Sequence, residues 1–187
     1  AGAIVLRTED PTMDWSGRAR VMASDPSDRR IASAAGGPLV DDQLAFRVAV
    51  EDRDFDGYIW NPTRGTAEDA RESTMARAKL LWMPAGIEGL TARLSYTHDD
   101  RDGPYMYAYS RRDVPDYYNN RINMSDYPSG TKTLSQVATL EVDYAFNDAW
   151  TLTSATSWTD TSMDRSFDTD LTERPEAYGD TEEQYDT

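Results

Sequence analysis

The stretch Leu44-Ala45-Phe46-Arg47-Val48-Ala49-Val50-Glu51 alternates between a large apolar residue and a small or charged one. Successive side chains of a β-strand point to opposite faces, so this stretch predicts a strand with one apolar and one polar face. The same alternation recurs along the chain, and the runs are joined in turn by tight turns and by long, acidic, tyrosine-rich loops. The pattern predicts an all-β, antiparallel structure.

Seven stretches carry this pattern with sufficient length to be strands. They lie at 15–23, 30–40, 44–51, 74–82, 90–97, 138–146 and 150–158. The connections at 54–72 and 98–131 are long, and the second contains six of the eleven tyrosines. The end of the chain, 181–187, has no apolar alternation with which to return beside the first strand and close a small barrel, and 184–187 looks like the start of another transition into a strand. The connections on one side of the predicted sheet are therefore short, and those on the other side are long.

The second face of these strands is charged. It carries Arg47, Arg77, Lys79, Arg93 and Glu141, each flanked by apolar residues of the opposite parity. A dry protein core cannot hold so many ions, whereas a water-filled or plugged lumen can. The apolar face must then meet lipid, which predicts strands of a transmembrane β-barrel. A soluble β-sandwich or barrel, which also alternates, is the alternative interpretation.

Aromatic residues on the apolar parity match the girdles of such barrels. Trp158 follows Trp150 on the same face, which at ~3.3 Å per residue and a tilt of ~40° separates them by roughly 20 Å along the barrel axis. Membrane barrels have an apolar band about 25 Å tall with aromatic residues at both edges. The predicted lipid-facing and girdle residues are Phe46, Trp82, Tyr96, Phe146, Trp150 and Trp158.

Composition excludes several classes of function. The net charge of −15 argues against a nucleic-acid partner, because no basic cluster could follow a phosphate backbone. The absence of cysteine excludes disulfides, thiol chemistry and cysteine-ligated metals. No apolar run approaches the ~20 residues that a membrane helix needs, so a helical membrane protein is excluded.

Two local patterns resemble sites, and neither is predicted to be one. The stretch Asp52-Arg53-Asp54-Phe55-Asp56-Gly57 opens like an EF-hand loop, but the twelfth position is Thr63 in place of the bidentate glutamate. These acids instead continue the outward parity of the preceding strand, where they could meet divalent ions among lipopolysaccharide head groups. His98 is the only histidine, and no Gly-x-Ser-x-Gly motif is present. We therefore predict no enzymatic activity, no metal site and no cofactor.

The longest loop is the best candidate for contact with a small-molecule cargo. Tyrosine and arginine offer large faces and hydrogen bonds at a small entropic cost. An alternative is that these side chains pack the loop on itself or belong to the outer aromatic girdle. The predicted ligand-binding residues are Tyr105, Tyr107, Tyr109, Arg111, Arg112, Tyr117 and Tyr118.

Several stretches, in their order, resemble one family. The run from Gly2 to Pro11, Gly-Ala-Ile-Val-Leu-Arg-Thr-Glu-Asp-Pro, is similar to the closing strand of the plug domain in TonB-dependent outer-membrane receptors. The stretch 36–47 resembles the second and third barrel strands with their periplasmic turn, and 56–61 resembles the start of the following outer loop. The stretch 76–84 is similar to the fourth strand and its turn.

The resemblance implies a segment of a large plugged barrel in the bacterial outer membrane, of the ~22-stranded type. Residues 1–12 would be the end of the plug, and 13–187 about seven strands of the truncated barrel. The implied function is active uptake of a scarce nutrient, such as a siderophore, cobalamin, a glycan or an aromatic compound. The implied partners are outer-membrane lipid and lipopolysaccharide, the cargo, and the TonB complex through an N-terminal part outside this sequence. The alternative is a non-transporting β-protein, either a small adhesion barrel or a soluble carbohydrate-binding domain.

Overall fold

The computed structural model describes residues 7–25, 27–105, 111–175 and 178–187. Within these ranges no helix is long and apolar enough to cross a membrane. The described residues contain ten strands: β1 (Ser16–Ser24), β2 (Asp28–Val40), β3 (Leu44–Phe55), β4 (Trp60–Asn61), β5 (Thr66–Ala67), β6 (Arg71–Trp82), β7 (Leu90–Pro104), β8 (Gly130–Asn147), β9 (Trp150–Asp168) and β10 (Tyr178–Asp186).

Eight of the strands form one antiparallel sheet in the order β1-β2-β3-β6-β7-β8-β9-β10. Each strand thus pairs with its neighbour along the chain, apart from the small hairpin β4-β5 inserted between β3 and β6. The sheet does not close on itself within the described residues, since β1 and β10 stand at its two edges. The all-β, antiparallel prediction is confirmed, and the open sheet is that of a partial barrel.

The two faces of the sheet have the predicted polarity. Leu80, Leu94 and Leu140 are cross-strand neighbours in one row, and each is exposed. On the other face Ala45 is 0% exposed and Arg47 only 8%. A soluble sandwich would bury the leucines and expose the arginine, so the polarity is the reverse of that of a water-soluble domain.

The connections differ in length at the two ends of the strands. Those at one end are short, at 41–43, 83–89 and 148–149. Those at the other end are longer, at 56–70, 105–129 and 169–177, although β1 and β2 are joined there by the short connection 25–27. We call the three longer connections the outer loops. They bring residues far apart in sequence to one end of the sheet.

The strands extend further into polar sequence than predicted. β7 includes His98 and continues to Pro104, β9 continues to Asp168, and β6 begins at Arg71. Cross-strand ion pairs stabilise these polar extensions, as between Lys132 Nζ and Asp102 Oδ2 at 3.4 Å. Backbone pairing therefore continues beyond the apolar residues that define the pattern.

The polar end of the chain, which lacks apolar alternation, forms most of strand β10. β10 pairs with β9 along its whole length and is held there by Arg165, whose Nη1 lies 3.0 Å from Glu183 Oε1. The main sheet thus has eight strands where about seven were predicted. The predicted loop 54–72 also contains the hairpin β4-β5.

Two other predicted features have different outcomes. Most of the plug-like strand falls on residues 1–6, which lie outside the described residues, and Arg7 and Thr8 are not in a strand. In the EF-hand-like stretch, Asp52 and Asp54 lie within β3, where Asp52 accepts a hydrogen bond from Thr74 Oγ1 at 3.0 Å. These two acids are thus part of a paired strand and not of a calcium-binding loop.

Candidate functional site

The chain segment before β1 lies against the charged face of the sheet. Glu9 Oε2 accepts a hydrogen bond from Arg47 Nη2 at 2.6 Å, and Asp10 Oδ1 accepts one from Lys79 Nζ at 2.7 Å. Lys79 Nζ also donates to the carbonyl oxygen of Thr8 at 2.9 Å, and Pro11 is buried. We call residues 7–14 the inner segment. It supplies the acids that neutralise two cations of the charged face, the buried Arg47 and the half-buried Lys79.

The electrostatics of the inner segment favour this contact. Burial raises the pKa of the Asp10 carboxyl, but hydrogen bonds and attraction from Lys79, and then from Arg7, outweigh burial and leave that pKa below its usual value. Asp10 therefore remains ionised. Charge-assisted hydrogen bonds of this kind are about twice as strong as neutral ones.

At the end of the sheet that carries the outer loops, two of these loops are joined by backbone hydrogen bonds. The Trp60 N–H donates to the carbonyl oxygen of Arg121 at 3.1 Å, and the Asn123 N–H donates to the carbonyl oxygen of Trp60 at 2.9 Å. Trp60 and Ile122 form a parallel bridge. The hairpin β4-β5 thus docks on the loop 105–129 as a short additional strand pairing.

The side chain of Asn61 completes this junction. It is 0% exposed, and its Nδ2 donates to Glu68 Oε1 and to the carbonyl oxygen of Ser125, both at 2.7 Å. Its Oδ1 accepts the Thr63 N–H at 2.9 Å. Asn123 Oδ1 in turn accepts the Ser125 N–H at 2.7 Å. We call Asn61, Glu68, Asn123, Ser125 and the neighbouring Asp168 the loop junction.

Two buried carboxylates belong to the loop junction. Glu68 is paired with Arg64, whose Nη1 lies 2.7 Å from Glu68 Oε1. Burial raises the pKa of the Glu68 carboxyl, the hydrogen bonds from Asn61 and Arg64 oppose that effect, and the charge of Asp168 adds to it. Asp168 Oδ1 accepts the N–H groups of Asp170 and Leu171 at 3.0 and 2.9 Å.

The predicted ligand-binding residues do not converge on one point. Tyr105 stacks on Phe167 of β9 with ring centroids 5.3 Å apart, whereas Tyr107 and Tyr109 lie outside the described residues. Arg111 forms an ion pair with Asp113, which lowers the pKa of the Asp113 carboxyl to about 2. This part of the loop therefore packs partly on itself, and a role in cargo binding stays a prediction.

The remaining predicted residues are more accessible. Arg112 is exposed, and Tyr118 is 82% exposed while contacting Tyr117 edge-on with ring centroids 5.4 Å apart. Sequence reasoning missed a second aromatic pair, Tyr127 stacked on Tyr178 at 4.5 Å. Alternation could not identify this pair, because Tyr127 lies in the loop 105–129 and Tyr178 at the start of β10.

The predicted girdle residues lie on the exposed apolar face. Tyr96 and Trp158 flank Ala138 in one cross-strand row. The next row outward contains His98, Gln136 and Asp160 in the same three strands, so the apolar surface ends directly above the two aromatic rings. Trp82, Phe146 and Trp150 are exposed beside the short turns, and Phe46 is partly covered by Trp15 at 5.8 Å. Their contact with lipid stays a prediction.

No family model matches the chain, but two solved structures share its fold. The ferric yersiniabactin uptake receptor FyuA from Yersinia pestis superposes with a TM-score of 0.68 at 19% identity, over 86% of this chain and 25% of that one. The ferric-catecholate import receptor Fiu from K12 E. coli superposes with a TM-score of 0.66 at 14% identity, over 96% of this chain and 28% of that one.

Both of these proteins are TonB-dependent receptors. The chain spans about a quarter of the length of each. At these identities the likeness establishes the fold, which is that of a run of barrel strands in such receptors. The two neighbours are an uptake receptor and an import receptor, and the absence of enzymatic activity in this chain stays a prediction.

Proposed function

We propose that this chain is part of a TonB-dependent receptor of the bacterial outer membrane that takes up a small-molecule cargo. The observation that carries the proposal is the superposition of almost the whole sheet on two uptake receptors. The reversed polarity of the sheet supports it, because an exposed apolar face and an ionic inner face suit lipid outside and water inside. A soluble carbohydrate-binding domain would have the opposite arrangement.

In this proposal the inner segment is the end of the plug. Its acids Glu9 and Asp10 hold it to Arg47 and Lys79 of the barrel wall. Movement of the plug by the TonB complex would have to break or rearrange these ion pairs. Water entering the lumen lowers the cost of that step, because solvated ions interact less strongly than buried ones.

The proposed cargo is a ferric siderophore, with cobalamin, a glycan or an aromatic compound as the alternatives. Both structural neighbours import iron complexes. Tyr118 and Arg112 are the accessible predicted contacts. A tyrosine ring can stack on a flat, oxygen-rich chelate, and a guanidinium can donate hydrogen bonds to its oxygen atoms.

Uptake of radiolabelled iron tests the proposal in the native bacterium. Deletion of the gene for the intact protein should abolish uptake of at least one ferric siderophore from a panel at nanomolar concentration. Deletion of the TonB gene should have the same effect. Unchanged uptake of every iron complex, of cobalamin, of glycans and of aromatic compounds in the deletion strain would contradict the proposal.

A matched pair of variants tests the cargo contact. Tyr118→Leu in the intact receptor should weaken cargo binding about 10-fold, because an interfacial aromatic residue contributes of the order of 1–2 kcal/mol. Tyr144→Leu, at the opposite end of the strands, should leave the affinity unchanged. Equal affinities for both variants and the wild type would remove Tyr118 from the binding site.

A further inference from the structure

The loop junction contains more buried negative charge than its hydrogen bonds neutralise. Glu68 is 7% exposed and Asp168 is 5% exposed. Among the residues that the structure describes, Arg64 forms its ion pair with Glu68, and Asp168 is in no ion pair. Placing an ionised carboxylate in a buried environment without a cation costs several kcal/mol, so such groups are normally paired or bind metal.

Two buried oxygen atoms of the junction lack a protein partner. Asp168 Oδ2 and Ser125 Oγ accept and donate no hydrogen bond within the described part of the chain, although Ser125 is only 1% exposed. Asp168 Oδ1, in contrast, is saturated by two backbone N–H groups. Buried polar atoms in native proteins are nearly always satisfied, and an unsatisfied one indicates a missing water or ion.

These atoms belong to one neighbourhood. A single amide group, Asn61 Nδ2, bonds both Glu68 Oε1 and the carbonyl oxygen of Ser125 at 2.7 Å. Asp168 lies close enough for its charge to act on Glu68. The Asp126 N–H, next to Ser125, donates to the carbonyl oxygen of Thr172, close to Asp168 in the third outer loop. Oxygen atoms from two outer loops and from the end of β9 thus lie in one neighbourhood.

We infer that the loop junction binds Ca²⁺, with carboxylate oxygens of Asp168 and Glu68 and the hydroxyl of Ser125 as ligands. Hard oxygen donors of mixed charge are what Ca²⁺ prefers, and its flexible coordination tolerates ligands from separate loops. The ion would neutralise the unpaired carboxylate and satisfy both orphan oxygens. It would also fasten the loops 56–70 and 105–129 to the end of β9.

The inference extends beyond the proposed uptake function and can be tested separately. The intact protein is purified in detergent micelles, stripped with EGTA and titrated with CaCl₂ in a calorimeter. The wild type should bind one more equivalent of Ca²⁺ than Asp168→Asn, with an affinity in the micromolar to millimolar range of known calcium modules. The variant keeps an oxygen for the two backbone N–H groups that Asp168 Oδ1 accepts.

Glu68→Gln and Ser125→Ala are the second and third variants. Glu68→Gln should also bind one equivalent of Ca²⁺ fewer than the wild type, since the amide can keep the hydrogen bond from Asn61 but carries no charge. Ser125→Ala should weaken Ca²⁺ binding several-fold. Asp113→Asn is the matched control, because Asp113 is an exposed loop acid paired with Arg111, and it should bind Ca²⁺ as the wild type does.

Limited trypsin digestion gives an independent readout. Ca²⁺ should slow cleavage after Arg121 at least 10-fold in the wild type and in Asp113→Asn, and have no effect in Asp168→Asn. Identical stoichiometry in the wild type and Asp168→Asn would overturn the inference. The inference would also be overturned if acidic pH slowed cleavage after Arg121 while Ca²⁺ had no effect on it. That result would indicate that a proton, and not a cation, neutralises the carboxylates of the loop junction. Neither readout depends on iron uptake, so the Ca²⁺ inference and the proposed uptake function can fail independently.

Discussion

At the scale of single residues, Asn61 illustrates how one buried amide holds two outer loops together. Both its oxygen and its nitrogen are used, and its partners include a carboxylate, a carbonyl oxygen and a backbone N–H. Burying an amide is costly unless its hydrogen bonds are made, so the network is stable only when all the members are present. Because Asn61 lies in β4 and donates to the carbonyl oxygen of Ser125, it fixes where the hairpin β4-β5 docks on the loop 105–129.

Replacing Asn61 with alanine should loosen the junction. The change leaves Glu68 with one donor fewer and the carbonyl oxygen of Ser125 without this bond, at a cost of about 1–3 kcal/mol for each unsatisfied group. We expect tryptic cleavage after Arg121 to become at least 10-fold faster. Asn119→Ala is the control, because Asn119 is exposed and its side-chain amide donates to Asp116 in the same loop, outside the loop junction. Equal cleavage rates in both variants would contradict this role of Asn61.

The raised pKa of Glu68 predicts a dependence on pH. Burial, which is the main cause, favours the protonated form in the folded junction, and Asp168 reinforces it. The folded state then binds more protons than the unfolded one, so stability is greatest below the ordinary pKa of 4.5 and falls as the pH rises through the folded pKa. In EGTA, tryptic cleavage should therefore accelerate with pH above about 4.5 after correction for trypsin's own pH profile.

The variant Glu68→Gln should flatten this profile, since the amide does not titrate. The groups around Glu68 that carry charge are Arg64 and Asp168, and the first keeps its charge throughout this range. A profile in Glu68→Gln as steep as that of the wild type would assign the pH dependence to another group.

At the scale of elements, alternation predicts the apolar part of each strand but not its polar ends. β3 is recognisable from Leu44 to Glu51 because its two faces differ in chemistry, yet it continues to Phe55 by pairing with β2 and β6. β10 lacks an apolar face and depends on its ladder with β9 and on the Arg165–Glu183 pair. Contacts of this kind come from distant sequence, so no local pattern indicates them.

The loop junction escaped prediction for a related reason. Its residues Asn61, Glu68, Ser125 and Asp168 come from two connections and from the end of β9, and no single sequence pattern joins them. The tyrosine-rich composition of the loop 105–129 predicted a site for cargo. In the structure, part of this loop's backbone forms hydrogen bonds to the hairpin β4-β5. Loop composition indicated a region, but not its geometry.

The two faces of β7 should respond differently to a charge. Leu94→Arg places a cation on the exposed apolar face, which in a membrane barrel costs about 2–4 kcal/mol near the bilayer centre. Ser95→Arg places the same residue on the inner face, between Lys79 and Thr139, and should cost about 1 kcal/mol or less. Urea unfolding of the intact protein in lipid vesicles measures both. Equal destabilisation would show that the faces do not differ.

At the scale of the whole molecule, one face of the sheet is apolar and unfavourable in water, and the other is charged and unfavourable in lipid. On the apolar face, three successive cross-strand rows change in polarity towards the outer loops. The first contains Leu94, the second the aromatic residues Tyr96 and Trp158, and the third the polar residues His98 and Asp160. The inner segment neutralises Arg47 and Lys79 on the opposite face. The proposed outer-membrane receptor accounts for these features by a lipid-facing band, a plugged lumen and projecting loops.

The most direct test is an accessibility scan along β7 in the intact protein in bilayers. Since this chain contains no cysteine, spin labels can be placed one at a time at positions 91–96. Labels at Ala92, Leu94 and Tyr96 should be reached by oxygen dissolved in lipid, and labels at Thr91, Arg93 and Ser95 by a water-soluble nickel reagent. The reverse alternation, or none, would contradict the assignment of one face to hydrocarbon and the other to an aqueous lumen.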